Sequence, residues 1–259
     1  MCKKLFGILL LIMFSCSGCG KKQADLEKIS DLDVIKNRGE VIIGVREDTK
    51  PFGYRDNDGN FKGFEIDLAR EIARYILGDG EKVKFVAVTA NDRIEKLNSK
   101  EVDMLVATMT ITSQRLRVMD FSDTYYKAGQ ALMVRAKSDI TSLSQAVVYG
   151  KLITVFGTTA EKSVRDIYPM AKIIGVRTYK DALEALKSGK GDAIIADDTV
   201  LIGLAEDKSV KLFPKRYSVE PYGVGLRQTA EAADLKNIIN ELIERLDNTG
   251  KLKQMFSQK

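Results

Sequence analysis

Short β-branched runs alternate with amphipathic helical stretches along most of this chain, and the alternation stops once and restarts. Val41 to Val45 reads as a buried strand. From Glu65 to Leu77 the residues Leu68, Ala69, Ile72, Ala73 and Ile76 recur at helical spacing on one face. Val83 to Val88 reads as a second strand, Asp92 to Asn98 as a short helix and Val102 to Ala107 as a third strand. A helical turn follows Thr112 and ends near Met119. This βαβ rhythm predicts an open α/β sheet. It begins again with a strand at Leu152–Val155, a helix from Thr159 to Tyr168 stopped by Pro169, and a strand at Lys172–Val176. A helix at Asp181–Lys187 and a strand at Asp192–Ala196 complete it. A closing helix carries Leu235, Ile238, Ile239, Leu242, Ile243 and Leu246 as its apolar stripe. No sequence repeat and no low-complexity linker accompany the restart. The expectation is therefore two α/β lobes, one from 34–128 with 222–259 and the other from 129–221. Short extended segments, Gly129–Val134 and Tyr222–Leu226, would carry the chain across as a two-strand hinge.

Ahead of this pattern, Lys3 and Lys4 precede an apolar run from Leu5 to Phe14 and then small residues up to Cys19. A run of about ten residues is short of the roughly 20 that span a bilayer. The order of charge, apolar run and small residues is that of an export signal, placed at 1–18. The chain's cysteines are Cys2, Cys16 and Cys19. Cleavage before Cys19 leaves one, at the new N-terminus, so no disulfide is expected even in an oxidising compartment. Cys19 after Ser17 and Gly18 resembles the lipobox of bacterial lipoproteins, whose cysteine carries diacylglycerol, although Cys16 stands where that motif usually has leucine. Polar residues 19–33 then read as a tether between a lipid anchor and the folded part.

The net charge is +5. Without Lys3 and Lys4 the excess is about +3 and dispersed, which argues against nucleic acid as a partner. The chain has no histidine. With its cysteines confined to the leader, the usual nucleophilic triads and transition-metal sites lack their parts. No calcium-loop spacing occurs, and no cofactor is expected.

The most informative stretch is VDMLVATMTITSQRLRVMDFSDTYY, residues 102–126. A buried strand ends at Ala107 and releases the chain into Thr108, Met109 and Thr110, and Thr112 is placed to cap the turn that follows. Loops beyond the carboxyl ends of such strands expose N–H groups and helix starts to ligands. Arg115 can return a planar guanidinium to a carboxylate there. The plainer reading is that the threonines only cap and that Arg115 is solvated.

Residues 40–250 resemble the family 3 bacterial solute-binding proteins, the extracellular amino-acid receptors of ABC importers. The likeness rests on VIIGVREDTKPFGY, GFEIDLAREIA, TITSQR and FSDTYY, in order and at natural spacing. The resemblance implies a periplasmic-binding-protein-like fold of type II, with the ligand cleft between the lobes. It implies that Thr110 and Arg115, helped by the backbone at Thr108, bind the ligand α-carboxylate. In IIADDTVLIG it assigns the α-ammonium to Asp197, with Asp198 adjacent and a helix N-cap as the structural reading. The implied partners are an amino acid and the transmembrane and ATPase subunits of an importer. The receptor would be an exported, periplasmic or cell-surface monomer tethered by its lipid.

Specificity rests on further residues. Thr158 and Thr159, in VFGTTAEK, lie between a strand and a helix, where their N–H groups and hydroxyls cap and can accept an anion. Arg46 and Arg93 fit the VREDTKPF and N-x-R patterns of the aspartate/glutamate-binding branch, which the chain resembles most. A second ligand carboxylate would need such paired positive charge. Glu47 and Asp48 beside Arg46 would, if turned to the cleft, suit an amide or a cation instead, as in a glutamine or basic amino-acid receptor. Phe52 and Tyr222 are candidates to pack on the ligand's aliphatic part, with Phe52 equally a core residue. Two other classes use the same scaffold: a cyclohexadienyl-dehydratase-like enzyme, with Glu161 or Glu220 as general acid, and a sensor domain. The expectation is binding without catalysis.

Overall fold

The computed structural model describes residues 29–258. The expected export signal, Cys19 and residues 20–28 of the expected tether lie outside them. In chain order, α1 (Asp31–Arg38) leads into β1 (Val41–Val45), the small strands β2 (Asp48–Thr49), β3 (Gly53–Arg55) and β4 (Phe61–Lys62), and α2 (Phe64–Leu77). Then come β5 (Val83–Ala87), α3 (Arg93–Asn98), β6 (Met104–Val106), a 3-10 turn (Arg115–Arg117) and β7 (Asp120–Ala128). The middle of the chain forms β8 (Gln130–Arg135), α4 (Leu143–Tyr149), β9 (Lys151–Val155), α5 (Thr159–Ile167) and β10 (Lys172–Val176). It continues through α6 (Tyr179–Lys187), β11 (Ala193–Asp197), α7 (Asp198–Leu204) and β12 (Val210–Leu212). The chain ends with β13 (Glu220–Leu226), α8 (Ala233–Asn248) and α9 (Lys251–Ser257).

The strands form two large sheets, ordered β5-β1-β6-β13-β7 and β10-β9-β11-β8-β12. Each holds parallel strands from its own βαβ units, and in each a strand that has just crossed from the other lobe enters antiparallel. Alternate residues of β1 and β6 pack into different apolar clusters. Ile43, Val45, Met104 and Val106 face α2 and α8, whereas Leu105 faces the cluster around Leu97 of α3. The second sheet divides in the same way, Ile153 and Ile194 toward α6 and α7, Leu152 and Ile195 toward α4 and α5. Helices on both faces make these strands apolar on both sides, which is why they read as continuous β-branched runs. The predicted stripes of α2 and α8 are buried as expected, with Ile76 and Ile238 at the margin.

The crossings differ from expectation. Gly129–Val134 is mostly β8 and Tyr222–Leu226 belongs to β13, both sheet strands. The chain changes lobes at Gly129 and again over residues 217–219, so the return to the first sheet begins at Glu220. At this tight crossover a Cβ on Gly129 would lie 2.6 Å from the Ser218 carbonyl oxygen, so only glycine fits. Residues 31–33, expected to belong to the tether, form the first turn of α1. Its Asp31 is buried in an ion pair with Arg227 (2.9 Å).

Candidate functional site

Strand ends from both lobes meet in the gap between the sheets. Arg46 follows β1, Ala90 follows β5, and Thr108 and Thr110 follow β6. Opposite them, Thr158 and Thr159 follow β9, Tyr179 comes after β10, and Asp197 ends β11. With Arg93 and Arg115 they line one narrow cavity between the lobes. It lies beyond the carboxyl ends of the parallel strands, where open α/β sheets bind ligands. The lobes are closed over it: Arg115 Nη2 donates to the Gly157 carbonyl across the gap (3.3 Å), and a Cβ on Gly157 would come 2.7 Å from the Ala90 oxygen.

Three guanidinium groups are buried on the first-lobe side. Arg46 Nη2 donates to Asp48 Oδ1 (2.6 Å), Arg93 Nη1 to the Ala107 carbonyl (2.6 Å), and Arg115 Nη1 to the Thr110 carbonyl (2.8 Å). Arg46 Nη1 and Arg93 Nε are buried without a partner among the described residues. Burial, followed by the charges of Arg115 and Arg46, pulls the pKa of Arg93 down to about 9. It still carries its proton at neutral pH. Burial lowers that of Arg115 as well, against the opposing pull of Asp197 and Glu220.

Thr108 sits at φ 46°, a left-handed conformation that a β-branched residue adopts only when its surroundings enforce it. Glu65 of α2 enforces it, accepting the Thr108 N–H (2.6 Å) and the Tyr125 hydroxyl (2.5 Å). Burial pushes this carboxyl up to about 7. The sequence reading placed Glu65 at the start of a helix and assigned it nothing more. Nothing local singled it out, because the first turn of α2 carries two acids, Glu65 and Asp67.

On the other side, Thr158 caps α5: its Oγ1 accepts the Glu161 N–H (3.2 Å) and donates to the Val155 carbonyl (2.7 Å). Thr159 opens that helix and also lines the cavity. Of the adjacent acids, Asp197 lines the cavity, while Asp198 turns to Arg216 (2.5 Å) and the Gly129 N–H (3.2 Å) at the crossover. Asp197 occupies the N-cap position of α7 but makes no capping bond. Its Oδ2 instead accepts from the Tyr222 hydroxyl (2.6 Å), which also meets Thr199 Oγ1 (2.7 Å). Burial, then the Glu220 charge, raises its carboxyl to about 7.

Two expected wall residues are not on the wall. Phe52 is 0% exposed, its ring packed among Phe64, Tyr126, Tyr222 and Phe256 in the core. Tyr222, also 0% exposed, supports Asp197 from behind. Ala90 and Tyr179 are wall residues the sequence reading missed. Tyr179 is the first residue of α6, set by the Thr178–Asp181 capping box, a sequence signal that would have started this helix two residues earlier. Its ring faces Arg46 across the gap, with the guanidinium carbon 5.6 Å from the ring centroid.

The profile of the bacterial extracellular solute-binding proteins, family 3, matches residues 41–258. The chain belongs to that family. The ABC transporter glutamine-binding protein GlnH of Bacillus subtilis (strain 168) is 35% identical, the match covering 99% of this chain and 97% of GlnH. The glutamate-binding protein GluB of Corynebacterium efficiens is 27% identical over 88% of this chain and 80% of its own length. Among solved structures, the cysteine-binding protein from Campylobacter jejuni superposes with a TM-score of 0.83 at 32% identity, covering 89% of this chain and 92% of that one. The two-lobed α/β architecture of this family 3 protein is therefore that of a type II periplasmic binding protein. Placement in the aspartate/glutamate branch is not supported, since the glutamate-binding relative is the more distant of the two. Asp48 bears on the same point: it turns to Arg46 instead of to solvent, while Glu47 pairs with Arg55 at the surface (2.8 Å).

Proposed function

We propose that this family 3 protein is the amino-acid receptor of an ABC importer and that its ligand is glutamine. The observation that carries the reading is a closed cavity walled by both lobes, with Arg115 and Thr110 on one lobe and Asp197 on the other. A free amino acid matches it, its α-carboxylate at Arg115 and Thr110 and its α-ammonium at Asp197. Only the closed state makes both sets of contacts, so the ligand favours closure by its differential affinity for that state.

Glutamine is favoured over an acidic ligand by charge balance. Asp48 offsets Arg46, and Glu65 and Asp197, once ionised above about pH 7, offset Arg93 and Arg115. A ligand with a neutral side chain leaves this balance undisturbed, whereas a second carboxylate would be buried against it. A carboxamide oxygen suits Arg46 Nη1, and its NH2 group suits the Tyr179 oxygen, both residues of the cavity wall. The name of GlnH points the same way. A second reading, glutamate or aspartate, is favoured by the two buried guanidinium nitrogens without partners.

In this role the chain binds without chemistry. Glu161, considered as a general acid, is engaged by Arg165 (3.2 Å) and by the Gly157 N–H (3.1 Å). The proposal includes export and a lipid anchor at Cys19, with the receptor acting as a monomer. Among the described residues no helix is long and apolar enough to cross a membrane. Calorimetric titration with single amino acids, after unfolding and refolding to strip carried-over ligand, tests the reading. Glutamine binding well above glutamate supports it; tighter glutamate binding moves the assignment to the acidic class. Heat from no amino acid sinks the receptor role. Loss of membrane association in Cys19→Ala tests the anchor.

A further inference from the structure

Glu220 opens β13 where the chain returns to the first lobe, and it is 5% exposed. Its Oε1 accepts from Gln130 Nε2 (3.0 Å) and from Ser218 Oγ (2.7 Å). Gln130 is the first residue of β8, on the other crossing segment, and it stands opposite Asp197 in the β8–β11 ladder. Gln130 Nε2 also reaches Ser163 Oγ of α5 (3.3 Å). Tyr222, two residues along β13 from Glu220, donates to Asp197 Oδ2. Both crossing segments therefore meet at the Glu220 carboxylate, which is joined through Gln130 to the ladder position opposite Asp197. Glu220 also borders the open groove that continues outward from the cavity past Thr110, Arg115, Thr158 and Thr159.

We propose that Glu220 is a second carboxylate of the ammonium end, held at the hinge outside the cavity wall, which acts on the ligand's ammonium through Asp197. The proposal rests on the amino-acid receptor reading. Its physical basis is that two buried carboxylates bridged by one glutamine repel each other, and a cation placed between or beside them relieves the repulsion. Of the groups that face Asp197, Glu220 and Asp198 favour its protonation, as burial does, while Arg115 and the Tyr222 hydroxyl favour the ionised form; the buried phenol of Tyr179 faces it from α6. Below about 7 Asp197 takes up a proton and stops serving an ammonium. Ligand capture near neutral pH is accordingly coupled to proton release, and Glu220 sets how high in pH that coupling lies.

A clasp that merely joined the crossing segments would be served as well by glutamine, whose amide oxygen still accepts from Gln130 and Ser218. Glu220→Gln therefore separates charge from shape. The experiment is the pH profile of ligand affinity for the full protein and for Glu220→Gln, with glutamine as probe and glutamate or arginine in its place if glutamine gives no heat. In the wild type, affinity is expected to fall about tenfold per pH unit below the Asp197 midpoint. Glu220→Gln is expected to bind more weakly at about pH 8, with its acid limb moved about one unit lower, so that the curves converge or cross below about pH 6. Parallel curves, offset or superposed, overturn the role of Glu220 while leaving the receptor reading intact. If the variant does not fold, Glu220→Asp, which keeps the charge on a shorter arm, is compared with wild type for proton release at about pH 6.5 in buffers of different ionisation enthalpy: a changed release is expected, and an identical one, or none in wild type, overturns the proposal. A wild type that binds no amino acid at any pH overturns the receptor reading and this proposal with it.

Discussion

Arg115 holds its guanidinium on two carbonyl oxygens, Thr110 in its own lobe and Gly157 in the other, and on no carboxylate among the described residues. A buried cation with only neutral acceptors favours an anionic ligand beside it. On the proposed reading, Arg115→Ala is expected to weaken amino-acid binding by at least about a hundredfold while the fold persists, because a buried charge pair with the ligand carboxylate would be lost. Near-native binding by that variant would show the carboxylate assignment to be wrong. Tyr222 acts one step further back. Tyr222→Phe keeps the ring in its aromatic cluster and removes the hydroxyl shared by Asp197 and Thr199. The expected result is about 1 kcal/mol less stability in urea and about tenfold weaker binding; unchanged affinity would separate Tyr222 from the ammonium end. The threonine loop, Arg115 and the first of the paired aspartates were legible because motif and position beyond a strand end are local. Phe52 was not, because nothing local distinguishes a wall aromatic from a core aromatic.

At the scale of elements, α6 ties helix capping to the site. Thr178 Oγ1 accepts the Asp181 N–H (3.0 Å) and Asp181 accepts the Thr178 N–H (3.2 Å), so the first helical residue, Tyr179, is presented to the gap in a fixed orientation. Thr178→Ala is expected to lower stability by about 1 kcal/mol, a typical cost of losing an N-cap, and to weaken ligand binding through Tyr179. A drop in thermal stability with unaltered affinity would show that the cap serves the helix alone. The helices α2 and α8 were readable from their period, since a stripe facing one core must recur every 3.6 residues. The crossover was misplaced because extended backbone in a hinge and in a sheet strand gives the same apolar run. The crowding of Gly129 against Ser218 exists only once the two segments are side by side.

For the whole molecule, Glu65 and Asp197 set the pH response. Both carboxyls are raised to about 7 by burial. In the unfolded chain they titrate near 4, so between about 4 and 7 the folded state binds more protons than the unfolded one. Stability of the ligand-free protein should therefore fall as pH rises through this window, reaching its lower value above about 7. On the proposed reading ligand affinity should run the other way, because an ammonium at Asp197 needs that carboxyl ionised. Thermal melts at about pH 5.5 and pH 8 with and without glutamine check both signs. A ligand-free melting temperature that rises with pH would mean that these carboxyls are ionised at lower pH than their burial implies.

The sequence by itself determined the fold class and the family. Strand and helix periods and short motifs are properties of neighbouring residues, and they survive without knowledge of the rest of the chain. Only the tertiary structure decided the charge balance on which the proposed specificity rests. Reading Arg46 and Arg93 as free positive charge favoured an acidic ligand. Folding turns Asp48 onto Arg46 and brings Glu65, from a different element, into the field of Arg93. It also seats Tyr179 of one lobe over Arg46 of the other. Electrostatic energy depends on distance through space and on burial, and neither quantity is written in the order of residues.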